Sequence, residues 1–212
     1  LAKKLSGEKN NVIILSRSAE SSELVLNGQV IGVNTDVSTI PQINNAYQKL
    51  KTVYKIKSID GLINCAGIAY DQKFLEVTEK DFDAIFNINI KGLFFITKTF
   101  VDLIKDNTGI IINVSSIAGI KGFSEWSVYS SSKFAVEGFT KSIRHELRGR
   151  GIRVMCVRPG SVDTKIYKHI PIGDKKNFIR PQTVANIMYE QINLPQEATI
   201  EDIFINNSIG DL

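Results

Sequence analysis

Short apolar runs alternate with helix-like stretches along the whole chain, and this order constrains the fold more than any single residue does. Val12–Ser16 is brief, β-branched and apolar throughout, as a strand covered on both faces is. Residues 30–34, 61–64, 109–114, 152–157 and 203–205 read as further strands, the run 152–157 stopped by Pro159-Gly160. Between them, residues 39–56 carry Ile43, Ala46, Tyr47 and Leu50 on one helical stripe. Thr78 opens a long helix running towards Lys105, with Asp81 placed to complete a reciprocal cap. A second long helix spans about Ser127 to Leu147, and Pro181 starts another. Strands alternating with helices call for a parallel sheet covered on both faces. The expected fold is therefore α/β: a single doubly wound, Rossmann-like domain over residues 1–212. Such sheets bind ligands beyond the carboxyl ends of their strands. Asn64, Ser115, Ser116, Pro159 and Gly160 all fall there.

Composition excludes several other classes. The 212 residues are 43% hydrophobic and 23% charged, enough for a sizeable core and unlike a disordered chain. The net charge of +4 comes without a basic cluster dense enough for a nucleic-acid face. Arg148, Arg150 and Arg153 crowd a helix-to-strand junction, read as a solvated turn in preference to an anion site. No apolar run approaches the ~18 residues of a membrane span. Cys65 and Cys156 lie in strand-like runs, which suggests buried thiols in a reducing, cytoplasmic setting. His145 and His169 lack metal-ligand spacing, and no metal is expected.

Tyr129 and Lys133 carry the chemistry. Residues four apart share a helix face, so phenol and ammonium point the same way. A neighbouring cation favours the phenolate and lowers a tyrosine pKa from its usual ~10. A tyrosine so tuned can protonate a developing alkoxide, or deprotonate an alcohol in reverse. A solvated pair on a surface helix has the same spacing. Ser116, thirteen residues before Tyr129, narrows the choice.

With these residues in view, the chain resembles the short-chain dehydrogenase/reductase family over nearly its full length. The motifs occur in that family's order: Asp36-Val37, Asn64-Cys65-Ala66-Gly67, Asn87-Ile88-Asn89-Ile90-Lys91-Gly92, Ser115-Ser116, Tyr129 with Lys133, and Pro159-Gly160. The resemblance implies Tyr129 as catalytic acid/base, Lys133 holding the nicotinamide ribose, and Ser116 orienting the substrate oxygen, with Ser115 its competitor. It implies Asn89 lining a water path to the lysine, Asn87 being the alternative alignment. Asn64, Ala66 and Gly67 match the turn that approaches the cofactor, and Asp36 with Val37 the adenine contact. Pro159, Gly160, Val162 and Thr164 match the segment that cradles nicotinamide. Residues 165–180 then form a substrate lid, in which Ile166, Tyr167, Ile170, Ile172 and Phe178 offer an apolar wall. Phe123 and Trp126 line the same pocket, unless Trp126 serves core packing or a subunit contact.

Arg17 follows the strand Val12–Ser16, where a carboxylate would bond the ribose and favour NAD. Its planar fork suits a 2′-phosphate, so NADP(H) is expected over NAD(H). One departure from the family is large: its opening strand and glycine-rich turn are missing upstream of Leu1, and residues 1–5 look like the tail of the helix that follows that turn. A chain lacking that strand exposes two strand edges in mid-sheet.

The expected activity is hydride transfer between NADP(H) and a small carbonyl or alcohol substrate. Ketones, diketones and carrier-bound 3-oxoacyl groups all remain open. A non-catalytic dinucleotide-binding regulator and a family isomerase or lyase are the alternatives. The resemblance also implies a homodimer or homotetramer through the two long helices, about Lys80–Lys105 and Ser127–Leu147, with Phe86, Ile90, Phe94 and Phe95 as apolar surface. No nucleic-acid or membrane partner is expected.

Overall fold

A computed structural model describes residues 1–8, 10–26, 28, 30–167 and 177–208. Helix α1 (Ala2–Gly7) precedes β1 (Ile13–Ser16), a four-residue α2 (Glu23–Leu26) that sequence reasoning missed, and β2 (Ile31–Asn34). Then follow α3 (Ile40–Thr52), β3 (Gly61–Asn64), α4 (Glu79–Phe86), α5 (Leu93–Phe100) and β4 (Ile110–Val114). Helix α6 (Ser127–Leu147), β5 (Arg153–Pro159), α7 (Pro181–Ile192) and β6 (Asp202–Ile205) complete the order.

Every strand pairing is parallel, as the alternation requires. β1 pairs with β2, and β3, β4, β5 and β6 form a second sheet in that order. Among the described residues the two sheets share no ladder, and a cavity of about 880 Å³ lies between them, lined by Ile13 and Leu15 of β1 and by all of β3. Helices cover both faces. Val33, Ile43, Leu50, Ile96 and Phe100 pack α3 and α5 on one side, where Ile111 and Val154 also meet Ile143 and Leu147 of α6. Ile110, Ile112, Met155 and Val157 meet Val184 and Met188 of α7 on the other.

Thr78 and Asp81 form the expected reciprocal cap. The helical run they open is broken by a π turn, Asn87–Gly92, between α4 and α5. By length and composition the run Glu79–Leu103 reaches membrane-spanning values, which the count of apolar residues had not shown. It packs Ile85, Leu93, Ile96 and Phe100 inside the protein and buries Asn89 and Thr97.

Other expectations need correction. β5 runs through Pro159 because Arg158 and Pro159 pair with Phe204 and Ile205 of β6. A proline at a strand end forfeits little pairing. Arg150 and Arg153 are not a solvated turn. Arg150 bonds Asp106 and the carbonyls of Val101 and Ile104, and Arg153 bonds those of Ile192 and Leu194. Cys156 is buried as expected, but Cys65 is exposed, because it lies beyond the end of β3 in the connecting loop.

Candidate active site

The site gathers at the carboxyl ends of β3, β4 and β5. β4 ends at Val114, and Ser116 then stands in extended backbone, its Oγ accepting from the Ala118 amide at 3.1 Å. Ser116 also lies beside the Tyr129 phenol, in the first turn of α6, near enough to favour its ionised form. Ser115, the competing serine, turns instead towards the α6 backbone and donates to the Lys133 carbonyl at 3.5 Å. Ser116 is therefore the hydroxyl that meets Tyr129.

Lys133 lies beside the tyrosine, with Nζ 5.7 Å from the ring centroid. It does not bond the phenol. Nζ donates to the Val114 carbonyl at 3.0 Å. The expected lowering of the tyrosine pKa by this cation is accordingly absent. Burial pushes Tyr129 above its ordinary value, and the neighbouring Ser116 hydroxyl partly opposes that. Burial acts on the lysine in the opposite sense, bringing it down to about 8, against the supporting fields of Cys65, Cys156 and Glu137. The pair thus has a reluctant phenol and an ammonium able to part with a proton near neutrality.

Asn89 is buried on the π turn, and such turns recur at functional sites. Its Oδ1 accepts from the Ile68 amide at 2.9 Å, and its Nδ2 donates to the Ile68 carbonyl and to Ser132 Oγ. It therefore clamps the loop after β3 to the catalytic helix. Asn87, the other alignment, is only half-buried and takes a 3.5 Å contact from Lys91. Gly67 in that loop leaves an open face, since a Cβ there would meet Asn89 Oδ1 at 3.4 Å and Lys133 Nζ at 3.6 Å. Gly92 closes the π turn against Val37, where a Cβ would lie 2.8 Å from the carbonyl oxygen.

Asn64 points inward, donating to Thr97 Oγ1 and Asn113 Oδ1, while Asn113 donates to Thr140 Oγ1. This buried ladder joins α5, β3, β4 and α6, and Asn113, Thr97, Thr140 and Ser132 had drawn no attention as sequence. An isolated Asn inside an apolar strand, as at Asn113, was the available signal. Asp36 Oδ1 accepts from the Ser38 hydroxyl and amide, which hold its carboxyl below the ordinary range, with a smaller contribution from Arg17. Arg17 is exposed just past β1. Val37, Asn64, Cys65, Ala66 and Ile88 line the end of the inter-sheet cavity.

On the far side, Gly160 donates to the Ile205 carbonyl, Val162 bridges Ile179, and the Thr164 hydroxyl accepts from the Ile166 amide. Ala69, Ala118, Phe123, Trp126 and Ile166 pack around Tyr129, Trp126 edge-on at 5.4 Å. His169, Ile170 and Ile172 lie outside the described residues, and His145 is an exposed residue of α6.

The residues present suit a nicotinamide dinucleotide. The open face at Gly67 lies against a buried lysine, and an exposed arginine follows β1. Comparison with known proteins agrees. Residues 1–174 match the family model described as short chain dehydrogenase. A 3-oxoacyl-(acyl-carrier-protein) reductase of Thermotoga maritima is 38% identical over 190 residues, covering 85% of this chain and 75% of that protein. Its counterpart in Aquifex aeolicus is 30% identical over 208 residues, covering 89% and 82%. An alcohol dehydrogenase from Thermococcus sibiricus, complexed with 5-hydroxy-NADP, superposes with a TM-score of 0.89 at 21% identity, covering 100% of this chain and 92% of that one.

Proposed function

The chain belongs to the short-chain dehydrogenase family, and on that premise we propose that it is an NADP(H)-dependent reductase of a carbonyl carried on a small acyl group. The observation that carries this reading is the Ser116 hydroxyl beside the Tyr129 phenol, with Lys133 buried next to both. A binding module has no need of that constellation.

Ser116 holds the substrate oxygen, and Tyr129 passes it a proton as charge develops there. Donors fixed in advance around that oxygen supply much of the acceleration. Bound nicotinamide would supply the hydride. Lys133 exchanges its proton with solvent, and Asn89 keeps the loop after β3 clear of that route. Arg17, Asp36, Val37, Asn64, Ala66 and Gly67 would hold the adenosine side, and Pro159, Gly160, Val162 and Thr164 the nicotinamide side. The exposed guanidinium of Arg17 favours NADP(H), and the Thermococcus sibiricus neighbour carries an NADP derivative.

The named activity of the two reductases supports a 3-oxoacyl thioester, and an acetoacetyl-CoA reductase of Cupriavidus necator, 34% identical over 153 residues, points to the same chemistry. The apolar wall around Tyr129 suits such an acyl group. The same proposal makes the protein a cytoplasmic homo-oligomer. Phe82, Phe94 and Phe134 stand exposed along α4, α5 and α6, whereas Phe95 packs against the core. Light scattering should give a mass of two or four chains.

NADPH consumption with acetoacetyl-CoA tests the reaction. Activity should appear in the wild type and fall about 10²- to 10⁴-fold in Tyr129→Phe. Undiminished activity in that variant would defeat the reading.

A further inference from the structure

One buried charge remains without a task in this scheme. Glu137 lies on α6 one turn beyond Lys133 and is 4% exposed. Arg158 of β5 grips it with two prongs, Nε to Oε1 at 2.9 Å and Nη2 to Oε2 at 2.6 Å. The Cys156 thiol adds a third bond to Oε1 at 3.2 Å. Arg158 also reaches Asp202 of β6 at 2.6 Å, and Asp202 and Glu201 bond Arg144 of α6. Ligand atoms of Glu137, Cys156 and Asp202 lie within 4.8 Å of one another, in the manner of a metal set. The two guanidinium groups already hold those carboxylates, so a cation would have to displace them.

The location gives the network its meaning. Arg158 immediately precedes Pro159-Gly160, and Glu137 follows Lys133 by one helical turn. A side chain at Gly119 would strike Ser115 Oγ at 2.5 Å and Glu137 Cγ at 3.2 Å, so Glu137 also backs the serine turn. Apolar packing holds a helix to a sheet at lower cost than a buried ion pair does, because desolvation opposes the pair. What the two-pronged pair adds is direction, since a planar fork fixes both distance and rotation.

We propose that Glu137 and Arg158 are positioning residues, an ion pair that sets the helix bearing Tyr129 and Lys133 at one height against the strand end bearing Pro159 and Gly160. This rests on reading Tyr129 as the acid and Pro159-Gly160 as the nicotinamide ledge. Misplacement by ~1 Å can cost about a hundredfold in rate. A loosened clamp therefore lowers turnover in a protein that remains folded.

The test compares wild type, Arg158→Lys and the double variant Glu137→Met with Arg158→Met. Each is assayed for kcat with NADPH and acetoacetyl-CoA, for NADPH affinity by fluorescence, and for Tm. The double variant should match or exceed the wild-type Tm, yet lose about tenfold in kcat and severalfold in NADPH affinity. A scaffold role alone predicts that kcat and affinity recover along with Tm, and that result would overturn the proposal. Arg158→Lys keeps the charge and one prong. Its kcat should fall about threefold at a Tm near wild type, and unchanged turnover and affinity there would overturn the proposal even if the double variant folded poorly. Tyr129→Phe, run in parallel, reports on the acid alone and so separates failure of the clamp from failure of the reaction assignment.

Discussion

At Lys133 the needs of the site oppose those of the fold. The side chain is buried, and its pKa falls from 10.5 to about 8. The protonated form, dominant at neutral pH, is thus disfavoured in the folded state. At ~1.4 kcal/mol for each pH unit, the buried charge costs about 3 kcal/mol below pH 8. Between the two values the unfolded chain binds more protons than the folded one, so stability rises with pH through that window. Lys133→Met removes the charge and keeps most of the volume. It also leaves the Val114 carbonyl without its 3.0 Å donor, a loss of about 1 kcal/mol. The net expectation is a variant about 2 kcal/mol more stable than wild type near neutrality. That corresponds to a rise of about 4–8 °C in Tm for a domain of this size. The advantage should shrink above pH 8 and reverse as the pH nears 10.5, the unfolded value. Urea denaturation of both proteins at about pH 6.5, 8 and 9.5 measures the difference. A variant less stable than wild type at the lowest pH, or a difference that does not move with pH, would refute the reasoning. Turnover should be lost in the same variant, which makes the cost of the site directly visible.

Three further outcomes are expected. Cys65 is exposed and Cys156 is buried, its thiol pushed up to about 12 by burial; a disulfide reagent should therefore titrate one thiol quickly in the native protein and the second only on unfolding, and saturating NADPH should slow the first. Asn113→Leu strands an Asn64 N–H in the interior, while the Thr140 hydroxyl keeps its bond to the Val136 carbonyl; it should cost about 1–3 kcal/mol in urea unfolding, and no loss would show that the ladder is dispensable. Arg17→Glu places a carboxylate at the end of β1, so the ratio of kcat/KM for NADPH over NADH should fall by at least about tenfold, whereas an unchanged ratio would remove Arg17 from cofactor choice.

How much of this was legible beforehand follows from the range over which each interaction acts. The Thr78–Asp81 cap spans three residues and the Tyr129–Lys133 face spans four, so spacing alone reveals both. Strands β1 to β4 announce themselves as local β-branched runs. The polar pairs that tune the site have no such periodicity. Glu137 finds Arg158 twenty-one residues on, and Asn64 finds Asn113 forty-nine on. Nothing in a helical or strand period links these positions. The tyrosine pKa shows the consequence. Spacing puts a cation beside the phenol and so implies acidification, but Lys133 spends its hydrogen bond on Val114, nineteen residues away in sequence. Burial then decides the sign. The π turn at Asn87–Gly92 is hidden for a related reason, because a 3.6-residue count cannot register the added residue that changes which way Asn89 faces. Motif spacing therefore identifies the atoms that react. Pairs formed between distant strands and helices set the alignment and the pH at which they react, so two chains with the same motifs can differ widely in turnover through residues such as Glu137 and Arg158 that belong to no motif.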